Sequence, residues 1–150
     1  MHALRALLMA GACLAATGLF AQDAEQFLIE SELWLNGERQ QVPVMVVGEN
    51  EPGFLLNTND QGRVEEGGWR LEFTANLADD PLNLSDALWV NVLLSVFESD
   101  SWNPVLDSML GVPEGEFSSL SVGTEGEESS PENAEIFLRL RTSRMRQADD

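Results

Sequence analysis

The stretch "LWLNGERQQVPVMVV", residues 33–47, constrains the fold more than any other. Asn36-Gly37 turns a chain back on itself in two residues, because both tolerate the left-handed backbone that such turns require. Apolar and polar residues alternate ahead of it with the period of a half-buried strand. With Asn36 and Gly37 at the tip, Leu35 faces Glu38, Leu33 faces Gln40, Ser31 faces Val42, Ile29 faces Val44 and Phe27 faces Val46. Leu28, Glu30, Glu32 and Trp34 then share the other face with Arg39, Gln41, Pro43, Met45 and Val47. Pro43 lacks an N–H, and in this register the missing donor points away from the first strand. The second arm is therefore expected to be a sheet edge or to be interrupted there.

Short strands separated by turn signals continue along the chain. "FLLNT" is brief and ends at Asn59-Asp60-Gln61-Gly62; "GGWRLEFTANL" alternates Trp69, Leu71, Phe73, Ala75 and Leu77 with polar residues. "ALWVNVLLSVFES" carries hydrophobes on both faces, which predicts a central strand covered on both sides. A turn around Trp102 and Asn103-Pro104, a shorter strand over 105–110 and a Pro-Glu-Gly turn follow, then "EFSSLSVG". The acidic "TEGEESSPEN" reads as a solvated loop. In the closing strand "AEIFLRLRTSRM", Ile136, Leu138 and Leu140 point inward and Arg139 and Arg141 outward, before a frayed tail. If that strand neighbours the first, Arg139 and Arg141 lie beside Glu30 and Glu32. The expected class is an all-β, antiparallel β-sandwich of about seven to eight strands, with a partly open β-barrel as the alternative. It forms a single domain over 22–150.

Residues 1–21, "MHALRALLMAGACLAATGLFA", have the layout of a secretory signal: one Arg, an apolar run and a small residue at the cut after Ala21. The run is short and Gly-interrupted for a permanent anchor. Cys13 follows Gly11 and Ala12 as a lipidated Cys would, but Ala10 stands where a larger aliphatic is wanted, so a Cys within the apolar region is the preferred reading.

Removing the leader removes His2 and Cys13, the sole His and Cys, and leaves 129 of the 150 residues with no Lys and no Tyr. A Ser-His-Asp triad, a Cys nucleophile and the usual zinc, haem or iron–sulfur ligation are then excluded. So are a lysine Schiff base and a P-loop. Seven Arg against 26 acidic residues give −19, which disfavours nucleic acid and anionic lipid as partners. No membrane insertion is expected once the leader is gone. The expected location is periplasmic or secreted.

Carboxylates are the one abundant catalytic group. Glu30 and Glu32 beside Trp34 have the composition of a sugar-cleaving pair, although alternating Glu residues usually mark a wet strand face. No cofactor is expected apart from calcium, for which "NTNDQG" and the 79–86 loop, with Asp79, Asp80 and Asp86, gather oxygen ligands; the same residues also serve ion-free turns. Trp69 and Trp89 fall on strands as core. Trp34 and Trp102 are the candidates for stacking on a ligand. Leu28, Trp34, Met45 and Val47 would form an apolar contact strip on the outer face of the hairpin.

The leader, with "GWRLEF", "MLGVPEG" and "IFLRLR" in an Arg-containing, Lys-free chain, resembles small exported β-proteins of Gram-negative bacteria. That resemblance implies an exported β-sandwich and assigns no residue a role. The expected function is non-enzymatic protein–protein interaction in the cell envelope, with an envelope protein as partner. A carbohydrate-binding or carboxylate-dependent glycan-cleaving module and an accessory structural subunit are the alternatives.

Overall fold

The computed structural model describes residues 25–77 and 87–145. The leader, with Cys13, the 79–86 loop with Asp79, Asp80 and Asp86, and the tail lie outside the described residues.

The turn forms where the dipeptide predicts it. Asn36 and Gly37 take φ of 50° and 81°, and the Asn36 N–H donates to the Glu135 carbonyl at 2.8 Å. The turn joins β1 (Gln26–Leu35) to β2 (Glu38–Gln40), with Leu35 opposite Glu38 and Leu33 opposite Gln40 as expected. Beyond Gln40 the expected pairing fails. The chain leaves the ladder over 41–44 and re-enters as β3 (Met45–Gly48), with Ile29 opposite Met45 and Phe27 opposite Val47. One extra residue around Pro43 has slipped the register, and in a strand a one-residue slip exchanges the two faces. Met45 and Val47 consequently enter the core, while Val44 and Val46 are exposed. The second arm is an edge broken at Pro43, paired on one side to β1.

Six further strands complete the described fold: β4 (Gly53–Leu56), β5 (Trp69–Asn76), β6 (Ala87–Glu98), β7 (Ser101–Pro113), β8 (Phe117–Val122) and β9 (Ile136–Arg144). Among the described residues there are nine strands and no helix; the hairpin arm split at Pro43 accounts for the strand beyond the expected eight. Two antiparallel sheets result, neither of them closed. One has the order β2-β1-β9-β8 with β3 continuing the β2 edge, and the other has the order β4-β5-β6-β7. Their inner faces feed one buried cluster: Phe27, Ile29, Leu33, Met45, Val47, Ile136, Leu138 and Leu140 from the first sheet, and Trp69, Leu71, Phe73, Val90, Val92 and Leu94 among those from the second. At one margin Gly53 of β4 leans onto β3, where an added Cβ would sit 2.6 Å from Val47 Cγ1. At the other, the Ser118 hydroxyl of β8 donates to the Gly111 carbonyl of β7 at 3.1 Å.

The region after β6 differs from the sequence reading. The reversal is Ser99-Asp100, both in the left-handed region with φ of 52° and 61°, and the Glu66 carboxylate accepts the Ser99 N–H at 3.1 Å. Trp102 is thus in a strand, paired with Phe97, instead of in a turn. The expected short strand over 105–110 is the 13-residue β7. It tolerates Pro104 and Pro113 because it is an edge, and it absorbs one extra residue, Val105, in a bulge opposite Leu94/Ser95.

Candidate functional site

Two outer faces remain once the cores are packed, and they differ in chemistry. On the first sheet, β9 lies beside β1 with Glu30 opposite Arg141 and Glu32 opposite Arg139, the adjacency that the alternating charges predict. Arg141 Nε donates to Glu30 Oε2 at 2.7 Å, and Arg139 Nε donates to Glu32 Oε2 at 2.6 Å. Arg39 adds a second donor to Glu32 at 3.2 Å. The hydrogen bond from Arg141 holds the Glu30 carboxyl below its ordinary range, against partial desolvation, and Glu30 in turn raises Arg141. Phe117 lies beneath both arginines, 4.3 Å and 4.8 Å from their guanidinium carbons. The charges of this face are paired with one another, while Val46 and Phe117 stay partly exposed on it.

That network bears on the sugar-cleaving pair. A general acid needs a carboxyl whose pKa is raised so that it carries a proton near neutrality. Glu30 is shifted the other way, and Glu32 is engaged by two guanidinium groups. Trp34 is half-buried, edge-on to Phe137 with ring centroids 5.7 Å apart, and has Arg39 over its ring at 5.4 Å. Leu28 shares that outer face, but Met45 and Val47 are in the core, so the strip of Leu28, Trp34, Met45 and Val47 does not form. Its cause is the slip at Pro43. The break leaves an open cleft of about 660 Å³ lined by Ser31, Glu32, Arg39 and the 40–43 segment.

The four-stranded sheet presents the other face. Its registers place Phe54, Glu72, Leu93 and Asp107 in one row across β4, β5, β6 and β7. The row to one side holds Thr74, Asn91 and Met109; the row to the other holds Leu56, Arg70, Ser95 and Pro104. Strand alternation lets such a face be wholly polar when it meets water. Here Phe54, Leu56 and Met109 are 55%, 52% and 56% exposed. With exposed Asn91 at its centre, the face has no described element lying on it, so among the described residues β6 lacks the two-sided cover expected for it.

Its aromatic rings are bedded on the sheet itself. Trp89, read from the sequence as core, points outward, with ring atoms 3.4 to 3.8 Å from where a Cβ of Gly111 would stand. Trp102 meets Phe97 edge-on at 5.3 Å and has Arg70 over its ring at 5.2 Å, so that ring is already stacked by a cation. Phe54, Leu56 and Met109 carry no signal in the sequence that marks them as surface, and Leu93 belongs to a face expected to be buried. The one visible signal is the apolar second face of β6, which periodicity alone equates with burial. Among the described residues, no three carboxylates converge as an ion site.

Comparisons with known protein-family models, with curated proteins and with solved structures find no match.

Proposed function

We propose that the chain is an exported, non-enzymatic β-sandwich module that binds another protein in the cell envelope. Its contact surface in this reading is the outer face of the β4-β5-β6-β7 sheet, in place of the hairpin strip. The observation that carries the reading is the exposure of Phe54 and Leu56 on β4 and of Met109 on β7, each more than half exposed, with half-buried Leu93 between the two edges. Apolar side chains left uncovered on a sheet face are unfavourable in water, and such faces serve as interfaces. Export rests on the leader-like 1–21 and on the resemblance to small exported β-proteins of Gram-negative bacteria. The sandwich reading rests on the two unclosed sheets sharing one apolar cluster.

Affinity capture from envelope fractions tests it. The double variant Phe54→Asp/Met109→Asp should lose a partner that Val46→Asp, altered on the first sheet, retains. Equal recovery by both variants would move the contact elsewhere. One observation favours a carbohydrate-binding reading: Trp89 lies over Gly111 with the amides of Asn76 and Asn91 on the same face. Saturable change of tryptophan fluorescence with one glycan of a panel, abolished in Trp89→Ala, would replace the first reading by this one.

A further inference from the structure

We infer that the outer face of the four-stranded sheet takes an amphipathic helix of a partner protein whose apolar stripe is flanked by Lys and Arg; this rests on the reading of that face as the protein-binding surface. The row Phe54–Glu72–Leu93–Asp107 alternates apolar and acidic groups across all four strands. Neighbours in the row are about 4.8 Å apart, so each apolar group has a carboxylate beside it. Among the described residues neither Glu72 nor Asp107 forms an ion pair; the salt bridges join Arg39, Arg139, Arg141 and Arg144 to Glu25, Glu30 and Glu32 around β1. Arg70, the one arginine in these rows, is stacked over Trp102. The first sheet's charges are matched internally, while this face offers unmatched negative charge between apolar side chains. A surface bearing both Leu-like groups and cations complements it.

Other occupants fit less well. A second copy would bring one strongly acidic chain, −19 without residues 1–21, against another, with acids meeting acids over the same rows. An added strand needs a free edge, but β7 carries Pro104, Pro113 and the bulge at Val105, and β4 has only four residues, preceded by Pro52. On the four-stranded sheet, face-on docking is left. Four strands span roughly 15 to 20 Å, which accommodates one helix of about 10 Å diameter.

The test uses three designed helical peptides of equal length: Lys flanks with a Leu stripe, Lys flanks with a Ser stripe, and Glu flanks with a Leu stripe. Each is titrated into methyl-labelled protein and followed by NMR, at low salt and at about 0.5 M, where charge attraction is screened. The Lys/Leu peptide should bind at least about tenfold more tightly than either other. It should shift the methyl resonances of Leu93 and Met109 and leave Val46 unmoved. Glu72→Gln and Asp107→Asn should each weaken it about threefold. Equal binding of both Leu peptides at this face would overturn the cationic requirement and leave the face as an interface. Equal binding of both Lys peptides would reveal diffuse attraction to an acidic protein and overturn the inference, as would no binding at this face or a concentration-dependent dimer covering Met109. The broader reading fails separately, if Phe54→Asp/Met109→Asp still captures the envelope partner.

Discussion

The slip at Pro43 decides which residues are core, and one pair of substitutions tests it. Val47 is 3% exposed and Val46 is 47% exposed; an uninterrupted hairpin would reverse them. Val47→Ala removes two buried methyl groups, about 1.6 kcal/mol of transfer free energy. Unfilled space beneath Gly53 of β4 adds to this, for a total of about 2 to 3 kcal/mol. Val46→Ala loses half-exposed surface and some strand preference, about 0.5 kcal/mol. Gly53→Ala supplies an independent check, because its Cβ would press on Val47 Cγ1 and Met45 Sδ, with an expected overpacking cost of about 1 to 3 kcal/mol. Urea unfolding followed by tryptophan fluorescence reads all three. With a slope of about 2 kcal/mol per M, Val47→Ala should lower the midpoint by roughly 1 M and Val46→Ala by a quarter of that. A larger loss for Val46→Ala than for Val47→Ala would refute the slipped register.

Three further outcomes follow from the same geometry. Glu30 has a folded pKa below its ordinary value near 4.3. The stability it contributes is therefore fully present above that unfolded value and disappears as pH falls through the folded one. Glu30→Gln should flatten the dependence of Tm on pH in the acid range below the ordinary carboxylate value, less so at high salt, and an unchanged profile would contradict the pairing with Arg141. At the hairpin tip, Gly37 has φ of +81° and a Cβ there would stand 2.9 Å from the Glu132 carbonyl oxygen. Gly37→Ala should cost about 1 to 3 kcal/mol by thermal denaturation, more than Gly62→Ala, where φ is also positive but no atom lies within 4 Å. Among the described residues the buried Ser31 Oγ, at the break in the edge, has no hydrogen-bond partner. Ser31→Ala should be neutral or stabilising, by up to about 1 kcal/mol, and a marked loss would mean that the hydroxyl is satisfied.

Much of the architecture was legible because it depends on local chemistry. Asn36-Gly37 can take the backbone its turn needs, and the alternation of Glu30 and Glu32 with apolar neighbours matched that of Arg139 and Arg141 well enough to place β9 beside β1. The register beyond Gln40 was illegible for a physical reason. Val44, Met45, Val46 and Val47 are all apolar, so the run suits the core in either parity, and the choice falls to a tertiary contact with Gly53. Pro104 suggested a turn because it follows Asn103, whereas an edge strand tolerates it and the true reversal uses Ser99 and Asp100 without a glycine. The second face of β6 carries apolar Trp89, Leu93 and Phe97, a pattern that a buried strand would share. Sequence periodicity reports which residues share a face, and it is silent on whether a second layer arrives.

The measurement that bears most directly on the outer sheet face as the working surface is site-specific photo-crosslinking in intact cells. A photoreactive residue at position 109, on β7, is compared with one at position 117, on the internally paired face of the first sheet. A discrete adduct should form from 109 and be abolished by Phe54→Asp, with none from 117. An adduct from 117 alone would contradict that role for the face.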